Sequence, residues 1–241
     1  MESATETLAS RPLPPATSLN SLGAARIVVP IVLEYAPARS VVDFGCKHGE
    51  WLSVFREHGC DRPLGFDQAK RITQGLLIDE REFTVADLRQ PLLLQQRFDL
   101  AVCIEVAEHL PESAAAGLVK TLTRVAPIVL FSAALPGQGG HGHLNEQPRG
   151  YWDDLFRGDG YTAVDCLRPR IWQNAEVAWW YRQNLFMFFS AEALQQSPLR
   201  ASAGRTNDID LVHVDILNRP SLKRAAAAAI RGLARRIARR T

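Results

Sequence analysis

Residues 40–52 read Ser-Val-Val-Asp-Phe-Gly-Cys-Lys-His-Gly-Glu-Trp-Leu: a β-branched apolar run ends on Asp43 and passes through Gly45 and Gly49 into helix-compatible sequence. Glycine suits such a turn because it permits a tight reversal and lets backbone N–H groups approach a ligand at the carboxyl end of a strand. A turn with two glycines joins many strands to many helices, so this stretch gains meaning only from the residues downstream. Two further short apolar runs also end on acids, PLGFD at Asp67 and EFTVAD at Asp87. An acid after the second strand can accept from both ribose hydroxyls, and one after the third from an adenine amino group. Each acid alone is a common turn or N-cap residue. Three in succession point to an adenosine carrying a short polar tail.

Working outward, the runs FDLAVCI (98–104) and PIVLFSA (127–133) continue the rhythm, with polar, helix-compatible segments between them. Continuous apolar runs, rather than strict alternation, predict strands covered on both faces, hence an α/β fold with a mostly parallel sheet. A helix is expected from about Ser18, with Leu22, Ile27, Val28 and Ile31 on its apolar side and a kink at Pro30. After a helix at YWDDLF (151–156), the runs YTAVDCL (161–167) and VAWWYRQNLFMFFS (177–190) are expected to close the sheet as an antiparallel pair. The aromatic stretch from Trp179 to Phe189 is expected to be mostly sheet core. The organisation expected is a flexible arm over 1–17, a catalytic domain over 18–190, an irregular extension over 191–221 and a basic amphipathic helix over 222–241.

The chain has 241 residues, 46% of them hydrophobic and 22% charged, a globular composition with room for one full core. Cysteines 46, 60, 103 and 166 form no CxxC pair, which excludes a zinc ribbon or disulfide framework and fits a reducing compartment. The N-terminus lacks the basic start and apolar centre of a signal peptide, and no apolar run approaches the roughly 20 residues of a membrane span. A cytoplasmic protein is expected. The net charge is +2, but seven basic residues lie beyond residue 220, so residues 1–220 carry a net −5. A negative body makes nucleic acid the less favoured partner. The basic end, with Leu222, Ile230, Leu233 and Ile237 along one side, suits an anionic surface at the inner face of the membrane, a partner subunit, or plain solvent exposure.

Together VVDFGCKHG (41–49), GFD (65–67), VADL (85–88) and FDLAVCIEVAEHL (98–110) resemble the class I S-adenosylmethionine-dependent methyltransferases, over roughly residues 39–190. The resemblance implies a single Rossmann-like, doubly wound, seven-stranded sheet, mostly parallel with an antiparallel last strand and helices on both faces. It implies a cofactor site built from Asp43, Gly45, Cys46, Lys47, Gly49, Asp67, Ala86, Asp87, Leu88 and Glu105, with Asp67 at the ribose and Ala86 and Asp87 at the adenine edge. Lys47 departs from the family, which usually has glycine there; if the backbone needs positive φ, lysine is strained, and pairing of its ammonium with the cofactor carboxylate would compensate. A dinucleotide-binding dehydrogenase also places an acid after its second strand, but the G-x-G-x-x-G turn is absent.

The fourth strand runs into Glu105-Val106-Ala107-Glu108-His109, whose i, i+3, i+4 spacing would bring three polar side chains to one side of a helical turn. Two carboxylates and an imidazole there can hold Mg²⁺ or Mn²⁺, or a general base; the plainer alternative is that the histidine only packs or caps. The glycine-rich loop LPGQGGHGHLNEQ (135–147) leaves the same sheet edge and is expected to be mobile enough to close over a substrate. With it, the chain resembles metal-dependent O-methyltransferases of ubiquinone biosynthesis and of small-RNA 3′ ends, which implies Glu105, Glu108, His109 and His143 as metal ligands. His143, His109 and Glu108 are the expected catalytic residues. PGQGGHGHLNEQ followed by YW also resembles bacterial methyltransferase domains of glycan and natural-product pathways, implying a small-molecule or glycan acceptor. The alternatives are a 2′-O-methyltransferase of RNA or a nucleoside, and a non-catalytic cofactor-binding subunit.

Overall fold

The computed structural model describes residues 16–68, 75–202 and 212–213. Most of the expected arm and the whole basic tail lie outside these residues.

Seven strands form one sheet in the order β3-β2-β1-β4-β5-β7-β6. They are β1 (Ser40–Phe44), β2 (Arg62–Asp67), β3 (Phe83–Val85), β4 (Leu100–Ile104), β5 (Ile128–Ser132), β6 (Tyr161–Val164) and β7 (Phe186–Ser190). The first five run parallel, and β7 pairs antiparallel with both β5 and β6. The expected doubly wound fold is therefore present. Chain order reverses at β1, which lies between β2 and β4, and this reversal opens a crevice beyond the strand ends.

The strand residues point alternately to two cores, one on each face. Val41, Leu100, Val102 and Ile104 join the core under helices α1 (Ala16–Tyr35) and α2 (Glu50–Glu57). Val42, Phe44, Ala101 and Cys103 join the opposite core, under α3 (Ala115–Val125) and α4 (Arg149–Gly158). Both faces of β1 and β4 are covered and every residue in them is buried, which explains their continuous apolar reading. Phe44, Phe55, Phe156 and Phe189 are fully buried, each contributing about 1.5–3 kcal/mol of apolar burial. Helix α1 continues through Pro30 to Tyr35; the proline removes one backbone donor, while Val28, Val29 and Val32 remain fully buried against the core.

Two expectations need correction. The run 177–190 is not one strand: α6 (Trp179–Asn184) precedes β7. Aromatic residues favour strands on propensity, but tertiary contacts decide here. The Tyr181 hydroxyl lies 3.0 Å from Ser21 Oγ on α1, and its ring meets Trp51 of α2 edge-on. The start of the 191–221 extension is also ordered: α7 (Ala191–Gln196) is capped by Ser190, whose hydroxyl accepts from Ala193 N–H. Between β6 and β7 lies the short helix α5 (Arg168–Ile171), entered where Asp165 binds the buried Arg168 guanidinium. Further on, His213 is buried against Trp172.

Candidate active site

The crevice holds two adjoining cavities. One of about 290 Å³ runs across successive strand tips: Leu88 and Arg89 beyond β3, Asp67 and Gln68 at β2, Gly45 and Lys47 at β1, Glu105 and Val106 at β4. The close approach depends on Gly45, whose φ is +90° and where a Cβ would fall 2.3 Å from Val106 Cγ2. Asp67 is buried; its two oxygens accept from the Lys47 and Gln68 backbone N–H groups at 2.8 and 2.6 Å, which fixes the carboxylate at the groove.

Five of the expected cofactor residues line this cavity: Gly45, Lys47, Asp67, Leu88 and Glu105. Asp43, Cys46 and Gly49 are buried behind it instead. Burial, with Glu50 and Asp67 nearby, pushes the Asp43 carboxyl well above the usual range. The Cys46 thiol packs under Gly65, where a Cβ would lie 2.5 Å from its sulfur. Ala86 donates its N–H to the Asp67 carbonyl at 3.0 Å, and Asp87 is gripped by Arg89, which holds its carboxyl down at about 2. Neither lines the cavity.

The second cavity, of about 350 Å³, opens beside the first and shares Lys47, Glu105 and His109 with it. Glu108, His143 and Gln138 form one side; Trp179, Trp180 and Tyr181 of α6 form another, with Asn20 and Ser21 of α1. The aromatic stretch expected as sheet core thus supplies, in its first three residues, a wall of this cavity.

After β4 the chain does not make the expected helical turn. Glu105 has φ +52°, and only Ala107–His109 form a short 3₁₀ turn. Glu108 and His109 therefore project from the turn, whereas Glu105 sits at the strand tip. Among the described residues, Glu108, His109 and His143 offer ligand atoms all within 4.8 Å of one another. Glu105 stands outside that group. Its oxygens accept from Asn184 Nδ2 at 3.1 Å and Gln138 Nε2 at 3.3 Å, and these donors, with Ser132, offset part of the upward push of burial on its carboxyl.

The glycine loop is tied down rather than free. Leu144 and Asn145 donate their N–H groups to the Glu108 carbonyl, and Glu146 accepts from Gly137 N–H, Gly139 N–H and His143 Nδ1 at 2.7–2.8 Å. The His109 Nδ1 donates to the Gly142 carbonyl at 3.2 Å. A carbonyl oxygen can only accept, so His109 carries its proton on Nδ1 and its lone pair on Nε2; the Glu146 contact at Nδ1 places the lone pair of His143 on Nε2 in the same way. A carboxylate behind a ligating imidazole is the usual outer partner of a metal site.

Glu108 completes the case. It is 1% exposed, its two carboxyl oxygens meet no hydrogen-bond donor among the described residues, and burial beside Glu105 raises its carboxyl well above the usual range. A buried carboxyl without donors calls for a proton or a cation. Two imidazoles with a carboxylate suit Mn²⁺ and softer divalent ions better than Mg²⁺.

Sequence reasoning missed Glu146, Gln138, Gln183, Asn184 and the α6 aromatics. Glu146 stood three residues after His143, a readable spacing; the others come together only through the fold.

A family profile described as a methyltransferase domain matches residues 19–229. The ubiquinone biosynthesis O-methyltransferase of Pseudomonas aeruginosa is 22% identical over 188 residues, covering 72% of this chain and 75% of that protein. Among solved structures, the sugar N-methyltransferase KedS8 from Streptoalloteichus covers 79% of this chain and 98% of its own at 17% identity and TM-score 0.51. Streptomyces venezuelae DesVI covers 71% and 92% at 13% identity and TM-score 0.51, and the methyltransferase domain of bacterial CtHen1 covers 70% and 98% at 18% and 0.51. These structures share the fold. With the family profile spanning most of its length and a seven-stranded, doubly wound sheet, the chain belongs to the class I S-adenosylmethionine-dependent methyltransferases.

Proposed function

We propose that this enzyme methylates a hydroxyl group of a small molecule, a sugar or another polyhydroxy acceptor, held in the cavity beside α6. The observation that carries the proposal is the Glu108–His109–His143 group at the junction of the two cavities, where donor and acceptor would meet. The donor supplies a methyl already activated on a sulfonium, so the protein's first task is alignment, which can contribute on the order of 7–11 kcal/mol. A hydroxyl is a poor nucleophile at neutral pH and needs help losing its proton.

Glu108, His109 and His143 are the residues that would hold a divalent cation, whose contribution when bound is to stabilise negative charge on the acceptor oxygen. The buried Glu108 carboxyl and the mutual closeness of the three ligand groups support that assignment. A second reading rests on one contact: Glu146 orients His143 at 2.7 Å, so His143 Nε2 can take the hydroxyl proton while Glu146 stabilises the resulting imidazolium. The aromatic wall supports an acceptor with an apolar face, and a cavity of about 350 Å³ favours a small molecule over RNA. The curated relative is an O-methyltransferase, which agrees with an oxygen acceptor.

The test is transfer of labelled methyl from S-adenosylmethionine across sugars, phenols, nucleosides and amino sugars, each with Mn²⁺ and with EDTA. Label on oxygen, lost with EDTA, is the expected outcome. Transfer to oxygen that EDTA leaves unchanged removes the cation and keeps the base, whereas transfer only to amines rejects the hydroxyl acceptor.

A further inference from the structure

Four glycines stand in the loop between β5 and α4, at 137, 139, 140 and 142, and the structure gives two different reasons for them. Gly137, Gly139 and Gly142 have φ of +80°, +66° and +74°, a backbone that residues with a Cβ rarely adopt. Gly140 does not share it. Its φ lies outside the left-handed region, so the backbone there would accept alanine. What excludes a side chain at 140 is the His143 ring: a Cβ on Gly140 would fall 2.1 Å from His143 Nε2 and 2.4 Å from Cε1, well inside the roughly 3.5 Å of an ordinary contact.

The same ring is held from two other sides. Its Nδ1 donates to Glu146 Oε1 at 2.7 Å, and that oxygen also accepts from Gly139 N–H at 2.7 Å, so the residue before Gly140 and the imidazole share one acceptor. The second Glu146 oxygen accepts from Gly137 N–H at 2.8 Å, which ties the first half of the loop to the same carboxylate. His109 meets the ring edge-on, with centroids 4.9 Å apart and planes at 87°. Gly140 thus closes one edge of a seat whose other edges are Glu146 and His109. Gly140 itself lines neither cavity, whereas His143 lines the one beside α6.

We infer that Gly140 is a positioning residue for His143: its missing side chain sets where the imidazole lies and keeps the space at Nε2 open. The inference rests on the role proposed above for His143, and it names a residue through which that role is lost while His143 and Glu146 are both kept. The magnitude follows from the distance. Restoring an ordinary contact to an alanine Cβ moves the ring by roughly 1 Å, and a displacement of about 1 Å at a reacting centre costs on the order of a hundredfold in rate. The fold should tolerate the exchange, because the group that yields is the end of a side chain rather than backbone.

Gly140→Ala in the full chain, set beside His143→Ala and Gly150→Ala, tests the inference. Gly150 stands on α4, where an added Cβ meets nothing within 4 Å, and controls for the exchange of glycine for alanine as such. Imidazole proton–nitrogen NMR reports the ring directly, with the His143 signals identified by their loss in His143→Ala. Mn²⁺ affinity, turnover of the acceptor found in the labelled-methyl assay and S-adenosylhomocysteine affinity are measured on the same proteins. Gly140→Ala should shift the His143 signals and lower at least tenfold whichever of Mn²⁺ affinity and turnover His143→Ala lowers. It should leave S-adenosylhomocysteine affinity within about twofold and Tm within about 4 °C. In a His143→Ala background it should cause no further loss, a dependence that a merely structural role would not produce. Gly150→Ala should change none of these. Unmoved His143 signals, full Mn²⁺ affinity and turnover where His143→Ala loses them, or a loss that persists without His143, overturns the seat. If His143→Ala itself retains both, the role proposed for His143 fails and the inference falls with it.

Discussion

Substituting Gly45 by alanine should damage both the fold and the donor groove, by amounts that the structure separates. The new Cβ would lie 2.3 Å from Val106 Cγ2, against the 3.5–4.0 Å of a normal carbon contact, so the two segments must part by more than 1 Å. Overpacking of this kind costs about 1–3 kcal/mol. The φ of +90° adds about 1–3 kcal/mol for a residue with a Cβ. Val106→Ala removes the obstructing methyl groups and alone costs about 1.6 kcal/mol of lost burial. The double variant should therefore be more stable than the sum of the singles, with a coupling of about 1–3 kcal/mol measured by urea denaturation of all four proteins. S-adenosylhomocysteine affinity should fall at least tenfold in Gly45→Ala and partly recover in the double variant, because Val106 adjoins Glu105. Additive stabilities within about 0.5 kcal/mol would refute the contact between the turn and the segment after β4.

Other expectations concern the reacting side. His143→Ala should leave S-adenosylhomocysteine binding within about twofold while lowering methyl transfer by roughly a hundredfold; turnover at the unaltered level would remove His143 from the mechanism. Glu146→Gln weakens the orientation of His143 and should reduce Mn²⁺ affinity by about 10–100-fold, measured by equilibrium dialysis; an unchanged affinity would count against the paired assignment. The buried Glu108 and Asp43 carboxyls have folded pKa values above their unfolded ones, so the folded state binds more protons and the metal-free chain loses stability as pH rises from about 4 through the raised values. Cation binding needs Glu108 deprotonated, so the Mn²⁺-induced rise in Tm should be larger at pH 8 than at pH 5 in scanning calorimetry; the opposite order would contradict the ligand assignment. Trp180→Ala should raise KM for the acceptor with little change in donor affinity, and a loss confined to donor binding would displace α6 from the acceptor wall.

The parallel half of the fold was legible because β1, β4 and β5 are covered on both faces and therefore read as unbroken apolar runs. The aromatic run 177–190 misled because tryptophan and tyrosine favour strands, whereas Tyr181 is held by Ser21 and Trp51, which lie more than a hundred residues earlier. The capped helix after Ser190 carried a readable signal in Ser-Ala-Glu-Ala. At the site, Glu108, His109 and His143 were legible by resemblance, and the structure brings all three together. Resemblance and spacing both placed Glu105 with them, but the spacing presumes a helical backbone, and φ +52° at Glu105 breaks it. The contacts of Gln138 and Asn184 with Glu105 join residues from three distant segments, and local pattern carries no trace of such convergence.

Titration of the full chain with Mn²⁺, followed by electron paramagnetic resonance in the presence of S-adenosylhomocysteine, bears most directly on the junction of the two cavities. One Mn²⁺ bound per chain, weakened at least tenfold by Glu108→Gln and by His143→Ala, is the predicted result. A spectrum of free Mn²⁺ throughout, or binding that neither substitution alters, would contradict a cation held by Glu108, His109 and His143.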